Sequence, residues 1–132
     1  MSDEDEIASL LDDMRSGDES RLIEAAMLIA QFGPAAIPGL LETLESPYAL
    51  SRDYSAMALG LIRPPAEKAL PELCKASFDT NPKVRFAAVA AIHNIAKATP
   101  MVIDCLNSVL SDPDEATRNR ARMALNELGR PA

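Results

Sequence analysis

The residue types that usually carry enzyme chemistry are scarce in this chain of 132 residues. Its single histidine, His93, has no cysteine, aspartate or glutamate close to it in sequence. A general base or a metal centre needs several such groups together, and neither a glycine-rich phosphate loop nor a nucleophile elbow is present. The sequence therefore predicts a protein that is not an enzyme, with no catalytic residue, no metal and no cofactor.

Charged and apolar residues instead recur at a fixed interval. Three arginines are equally spaced along the chain: Arg52, Arg85 and Arg118. Three leucines follow the same spacing, and a fourth precedes them at a slightly shorter interval: Leu40, Leu73, Leu106 and Leu10. Self-similarity at such a period is the sequence signature of a repeat architecture. The chain is therefore predicted to consist of four similar units of about 33 residues each.

Each unit is predicted to contain two helices. Val84, Ala88 and Ile92 recur at helical spacing, as do the apolar residues of the equivalent segments. Many of the ten prolines lie where a helix would begin or end, because proline is tolerated in the first turn and breaks a helix interior. No segment shows the sustained alternation that predicts a strand, so the expected class is all-α.

The third unit shows the repeated pattern most clearly. It begins with Leu70-Pro71-Glu72-Leu73, and Asp79 and Val84-Arg85 follow. This pattern resembles the HEAT repeat family, particularly its short bacterial and phycobilisome-lyase-like members. The resemblance implies an armadillo-like α-solenoid in a single domain, 1–132, with repeats at approximately 4–33, 34–66, 67–99 and 100–130. Stacked repeats of this kind bury a continuous core that one helix pair cannot form alone.

The resemblance also implies a ladder of aspartate and arginine side chains between successive repeats. Its members are expected to have a structural role: Arg52, Asp79, Arg85, Asp112 and Arg118. Two departures from the family pattern weaken this ladder toward the N-terminus. Ser46 replaces the aspartate of the second unit, and Leu22 replaces the arginine of the first.

A helical wheel of the second helices, drawn with Ala88 pointing toward the core, divides each helix into a core face and an outward face. Gly60 is predicted to lie on the outward face. Residues at matching outward registers are the candidates for binding a partner: Ile23, Met27, Asp53, Met57, Phe86, Ala90, His93, Asn119 and Met123. The family resemblance places the second helices on the concave side. The methionines would form an adaptable apolar strip there, since methionine repacks easily. The alternative is that these side chains simply pack against neighbouring helices.

The net charge of −7 lies entirely in the first unit. Residues 1–33 hold nine acidic and two basic side chains, while the remaining charges balance. The acids either stabilise the first helix and keep it in water or steer a basic partner to the protein. A pI near 4.6 argues against nucleic acid as a partner, and no stretch is long and apolar enough to predict a membrane span.

The two cysteines are predicted to be unreactive. Cys74 aligns with core leucines of the first two units and is expected to be buried, whereas Cys105 aligns with Gly39 and Glu72 and is expected to be exposed. No histidine or basic cluster in the sequence activates either thiol. Two cysteines fit neither a disulfide framework nor a four-ligand metal site, so the cytoplasm is the expected location.

These features favour a non-catalytic scaffold or adaptor that binds another protein or a peptide through its concave face. HEAT-like iron hydroxylases carry repeated His-Glu pairs and HEAT-like DNA glycosylases carry a basic groove, and this sequence has neither. An alternative is a bilin-lyase-like or other enzyme-accessory subunit that is active only with a partner. Self-association of the repeats is a third alternative.

Overall fold

A computed structural model describes residues 2–129, and in that range the chain forms helices and no strand. The α-helices in this range are α1 (Asp3–Met14), α2 (Glu19–Ala30), α3 (Ile37–Thr43), α4 (Ala49–Leu61), α5 (Leu70–Ala76), α6 (Pro82–Ile95), α7 (Pro100–Val109) and α8 (Glu115–Leu128). Single 3₁₀ turns, Gly33–Ala36 and Glu67–Ala69, lead into α3 and α5. The all-α class and the α-solenoid are therefore confirmed. The predicted domain and fourth repeat extend beyond these limits, because residue 1 and residues 130–132 lie outside the described residues.

Polar side chains and prolines determine where the helices begin. Asp18, Asn81 and Asp114 directly precede α2, α6 and α8, respectively. Each side chain accepts a hydrogen bond from a backbone N–H in the first turn of that helix. Such a bond satisfies a donor that has no partner within the helix itself. Pro82 and Pro100 are the first residues of α6 and α7, a position where the missing N–H of proline costs no helical hydrogen bond.

The helices pair within each unit and stack in two layers. The first-helix layer contains α1, α3, α5 and α7, and the second-helix layer contains α2, α4, α6 and α8. Neighbouring helices pack more extensively in the second layer than in the first. The core consists of equivalent side chains from each unit, and those fully buried include Leu40, Leu59, Leu73, Ile92 and Leu106. Nearly all buried apolar residues join one cluster that runs through the stack, as expected when each unit covers the next.

The most extensive packing in the second layer is between α4 and α6. A Cβ atom built on Gly60 would lie 2.8 Å from the Cα atom of Ala91 and 3.0 Å from its Cβ atom. Gly60 is buried, so its predicted position on the outward face is wrong. The helical wheel has a single core direction, whereas α4 is covered on both sides by its neighbours α2 and α6.

The exposure of both cysteines differs from the prediction, since Cys105 is more buried than expected and Cys74 is less buried. Cys105 is 7% exposed, and Cys74 is half-buried at the edge of the core. Cys105 is buried because its position on α7 faces α5, where its Sγ atom lies 3.4 Å from the Ser77 hydroxyl. The small Gly39 in the equivalent position faces Leu11 of α1 in the same way.

Candidate protein-binding face

A groove runs between α4 and α6 on the surface of the second-helix layer. Its volume is about 290 Å³, and its walls are mostly apolar. The lining residues come from one face of each helix: Asp53, Tyr54, Met57, Leu61, Phe86, Ala87, Ala90, Ala91 and Asn94. Alanines at three of the α6 positions leave the space, while the longer Met57 and Phe86 side chains form its sides. The structure thus brings together four of the predicted partner-binding residues.

Asp53 provides a charge at one end of this groove. Its half-buried side chain also lines an adjoining recess together with Glu19 and Lys83. The pKa of Asp53 is raised overall, mainly because its side chain is partly buried. Attraction to Lys83 lowers the pKa in part, and the nearby charge of Glu19 raises it. Within the part of the chain that the structure describes, the Asp53 carboxylate has no hydrogen bond or ion pair. It is therefore free to accept a cation from a bound molecule.

The other predicted residues lie on both sides of the groove. Ile23 and Met27 on α2 are 45% and 58% exposed, and Met123 on α8 is 52% exposed. Asn119 is exposed beside Met123 and accepts a hydrogen bond from the Arg122 guanidinium. These exposed apolar side chains are candidates for extending the groove into a larger interaction surface.

His93 lies apart from this open surface because it joins α6 to α8. The Nε atom of Arg120 donates a hydrogen bond of 2.8 Å to Nδ1 of His93, and Nε2 of His93 pairs with Glu127. Since a guanidinium can only donate, Nδ1 accepts and the ring proton lies on Nε2. The His93 side chain is only 11% exposed, which makes it a helix-to-helix link with little surface for a partner.

Five groove residues were missed by the sequence prediction: Tyr54, Leu61, Ala87, Ala91 and Asn94. A helical signal was present, because Leu61 follows Met57 by one helical turn and Asn94 follows Ala90 in the same way. The Tyr54 hydroxyl donates a hydrogen bond to Glu19 of α2. The His93 link also had a signal, since Arg120 follows His93 at the same interval that separates Arg52 from Asp79.

Arginine and aspartate side chains connect the last three units at the edge of the stack. The Arg52 guanidinium donates to both carboxylate oxygens of Asp79, at 2.8 and 3.1 Å. The Arg85 guanidinium donates to Asp112 in the same way, at 2.8 and 3.4 Å. Two-point contacts of this kind fix orientation as well as distance.

Each arginine also contacts its own unit. Arg85 donates to the backbone carbonyl of Asp79, and Arg118 donates to that of Asp112. Arg52 donates to the carbonyl of Ser46, so the backbone contact persists where the aspartate is replaced. Arg118 has no carboxylate within ion-pair distance among residues 2–129, and Leu22 is buried in the core instead.

The Asp79 contact predicts a specific dependence of stability on pH. Burial alone would raise the pKa of Asp79, but hydrogen bonds from Arg52 and from the Asn81 N–H, with attraction to Arg52 and Arg85, lower it overall. Because an unfolded aspartate has a pKa of about 3.9, Asp79 stabilises the fold above that pH and loses this effect as the pH falls toward its folded value. Urea unfolding at neutral and acidic pH, compared between the wild type and Asp79→Asn, should show a difference that shrinks in acid. A constant difference would contradict this prediction.

Comparison with known protein families agrees with this geometry. A family model described as HEAT repeats matches residues 37–126, more than half of the chain. The chain belongs to the HEAT repeat family. HEAT repeats are generally protein-interaction scaffolds and generally non-catalytic. The matched range includes α3 to α7 and most of α8, and therefore both arginine–aspartate contacts and the α4–α6 groove. A search of curated proteins finds no match to the chain.

Two further observations concern metal binding and membrane crossing. Between residues 2 and 129, no three histidine, cysteine or acidic side chains come together in an arrangement that could hold a metal ion. In the same range, every helix falls short of the length and hydrophobicity that crossing a membrane requires.

Proposed function

We propose that these HEAT repeats bind a segment of another protein through the second-helix layer, with the α4–α6 groove at its centre. The observation that carries the proposal is the preformed apolar groove, which has an unpaired carboxylate at one end. Exposed apolar side chains of α2 and α8 extend the surface on both sides. The more extensive packing of the second-helix layer supports its assignment to the concave side, because a stack bends toward its more closely packed layer.

The groove favours a segment with apolar side chains and one lysine or arginine. Met57 and Phe86 offer adaptable and flat apolar contacts, which recur at binding surfaces. The carboxylate of Asp53 can pair with the cation of the ligand, and the acidic first repeat would attract such a ligand from a distance. The repeats act by holding these contacts at fixed spacing, and no chemical step is involved.

Replacing Met57 by lysine should weaken such binding about tenfold, or about 1.4 kcal/mol, because a cation would then lie in the apolar groove. A random peptide library displayed on phage provides the ligand, with affinities of the selected peptides measured by titration. Met101→Lys, an exposed methionine of the first-helix layer, is the matched control and should leave the affinity unchanged.

The fold of each variant is checked by circular dichroism. Asp53→Asn provides a second test that removes a charge without adding bulk, and it should weaken peptides that carry a lysine or arginine. Equal loss of affinity in Met57→Lys and Met101→Lys would contradict binding at this groove, as would a library that yields no binder. An absorbance change on adding a tetrapyrrole would support the bilin-lyase-like alternative.

A further inference from the structure

The first repeat has an open recess between α1 and the C-terminal end of α2. Its volume is about 340 Å³, and its walls are mostly apolar. Leu28 is 41% exposed there, and Leu10 and Phe32 are half-buried. The residues that line the recess are called the N-terminal end face: Glu6, Ser9, Leu10, Leu28, Gln31 and Phe32. A large apolar side chain is therefore left in solvent at this end of the stack.

Equivalent positions in the later repeats show what the N-terminal end face is suited to contact. Leu28 occupies the register of Ala91, which approaches Gly60 of the preceding repeat. Ser9 occupies the register of Cys105, which also faces the preceding repeat. The later residues in the Leu28 register are all buried: Ala58, Ala91 and Ala124. The N-terminal end face is therefore a stacking surface, and no preceding repeat covers it within residues 2–129.

The fourth repeat has the matching surface at the other end of the stack. Arg118 and Asn126 occupy the registers of Arg85 and His93, which both contact the following repeat. Arg122 lies between them on α8, one helical turn from each. These three residues are called the C-terminal end face: Arg118, Arg122 and Asn126. It is the side of α8 that would contact a following repeat.

The two end faces carry opposite charges at registers that are apolar inside the stack. Glu6 lies in a register whose other residues are fully buried: Ala36, Ala69 and Val102. Arg122 also lies in a register whose other residues are fully buried: Ala26, Ala56 and Val89. In the part of the chain that the structure describes, neither Arg118 nor Arg122 has a carboxylate within ion-pair distance. Two identical end faces would repel each other, whereas the two different end faces attract.

We propose that the protein self-associates head to tail, with the N-terminal end face of one copy stacked on the C-terminal end face of the next. Leu28 and Phe32 supply the apolar part of the contact. Because Leu28 is larger than alanine, the helices at this contact lie further apart than α4 and α6. The long Arg122 side chain can cross that wider gap toward Glu6 of the other copy.

A contact between two different surfaces has a consequence for the size of the assembly. Each added copy leaves one end face of each kind free, so the assembly grows as an open chain of copies. The inference does not depend on the proposed peptide binding, because neither end face includes a residue of the α4–α6 groove.

Sedimentation velocity of the full chain over a range of concentrations tests the proposal. We expect the average sedimentation coefficient to rise with protein concentration, and to rise less at high salt, because salt screens the contact between Glu6 and the arginines. Leu28→Lys places a cation opposite those arginines and should raise the dissociation constant about tenfold. The matched control is Leu61→Lys, the same substitution at a groove residue that is 45% exposed. It should leave self-association unchanged, and circular dichroism checks the fold of both variants.

Mixing two variants tests the direction of the contact. Leu28→Lys retains an intact C-terminal end face, and Arg122→Glu retains an intact N-terminal end face. At a concentration where the wild type associates, each variant alone should be largely monomeric, and an equimolar mixture should form a dimer that grows no further. Sedimentation that is independent of concentration would overturn the proposal, as would a mixture that stays monomeric. Equal loss of association in Leu28→Lys and Leu61→Lys would also overturn it, because the contact would then not be specific to the end faces.

Discussion

Replacing Asp112 by alanine is expected to lower the free energy of unfolding by about 3 kcal/mol, which is typical when one partner of a buried ion pair is removed. The side chains of Arg85 and Asp112 are 15% and 6% exposed. The substitution leaves the Arg85 guanidinium largely buried without its carboxylate. It also removes the bond that Asp112 accepts from the backbone N–H of Asp114. Urea unfolding followed by circular dichroism measures the change.

The control is Asp104→Ala, an exposed aspartate of the same repeat. Its effect should stay within about 0.5 kcal/mol, as for most surface substitutions. A double-mutant cycle with Arg85→Ala separates the pair from its surroundings, and the two substitutions should cost less together than the sum of their separate effects. If Asp112→Ala costs no more than Asp104→Ala, the contact does not stabilise the stack.

Replacing Gly60 by alanine should also destabilise the protein, by about 2 kcal/mol, although alanine is the better helix former. The added methyl group meets backbone, because the Cα atom of Ala91 lies 2.8 Å from the position of the new Cβ atom. Backbone cannot rotate away, so α4 and α6 must separate and the packing of the second layer must loosen. The midpoint of urea unfolding gives the size of the effect.

Gly39→Ala is the matched control, with the same substitution in another helix. The Cβ atom on residue 39 would meet the end of the Leu11 side chain, which can change rotamer. We expect a change close to zero or a small stabilisation, since alanine restricts the unfolded chain. Equal destabilisation by the two variants would show that loss of glycine itself, and not the approach of α6 to α4, is responsible.

The fold could be predicted from the sequence because the same physical requirement recurs in every unit. Leu40, Leu73 and Leu106 occupy equivalent buried positions, so their interval reports the length of one repeat directly. The prolines mark helix starts by their own covalent geometry. Both signals are local, so they can be recognised in the sequence without knowledge of how the units curve.

The surface was harder to predict because a helical wheel does not include the neighbouring helices. Gly60 and His93 both fell on the outward face of the wheel, yet Gly60 contacts α6 and His93 bonds to α8. The inner second helices, α4 and α6, each contact their own first helix and the second helices on either side. Their buried arc is therefore wider than the apolar stripe. The exposed Met27 and Met123 lie on the outer helices α2 and α8, each of which has one neighbour in this layer.

The positions of the arginine–aspartate contacts also predict which repeat should unfold first. The units from the second to the fourth are each joined by a contact of this kind. Among residues 2–129, the first unit is joined to the second through packing and through exposed polar contacts, such as the ion pair of Arg15 with Glu42. Exposed ion pairs contribute about 0–1 kcal/mol, so the first repeat should be the weakest cooperative unit. Amide protons of α1 and α2 are expected to exchange with solvent earlier than those of α4 and α6, and hydrogen-exchange mass spectrometry would show this order. The repeat that holds the net negative charge would then also be the one that detaches most readily from the rest of the stack.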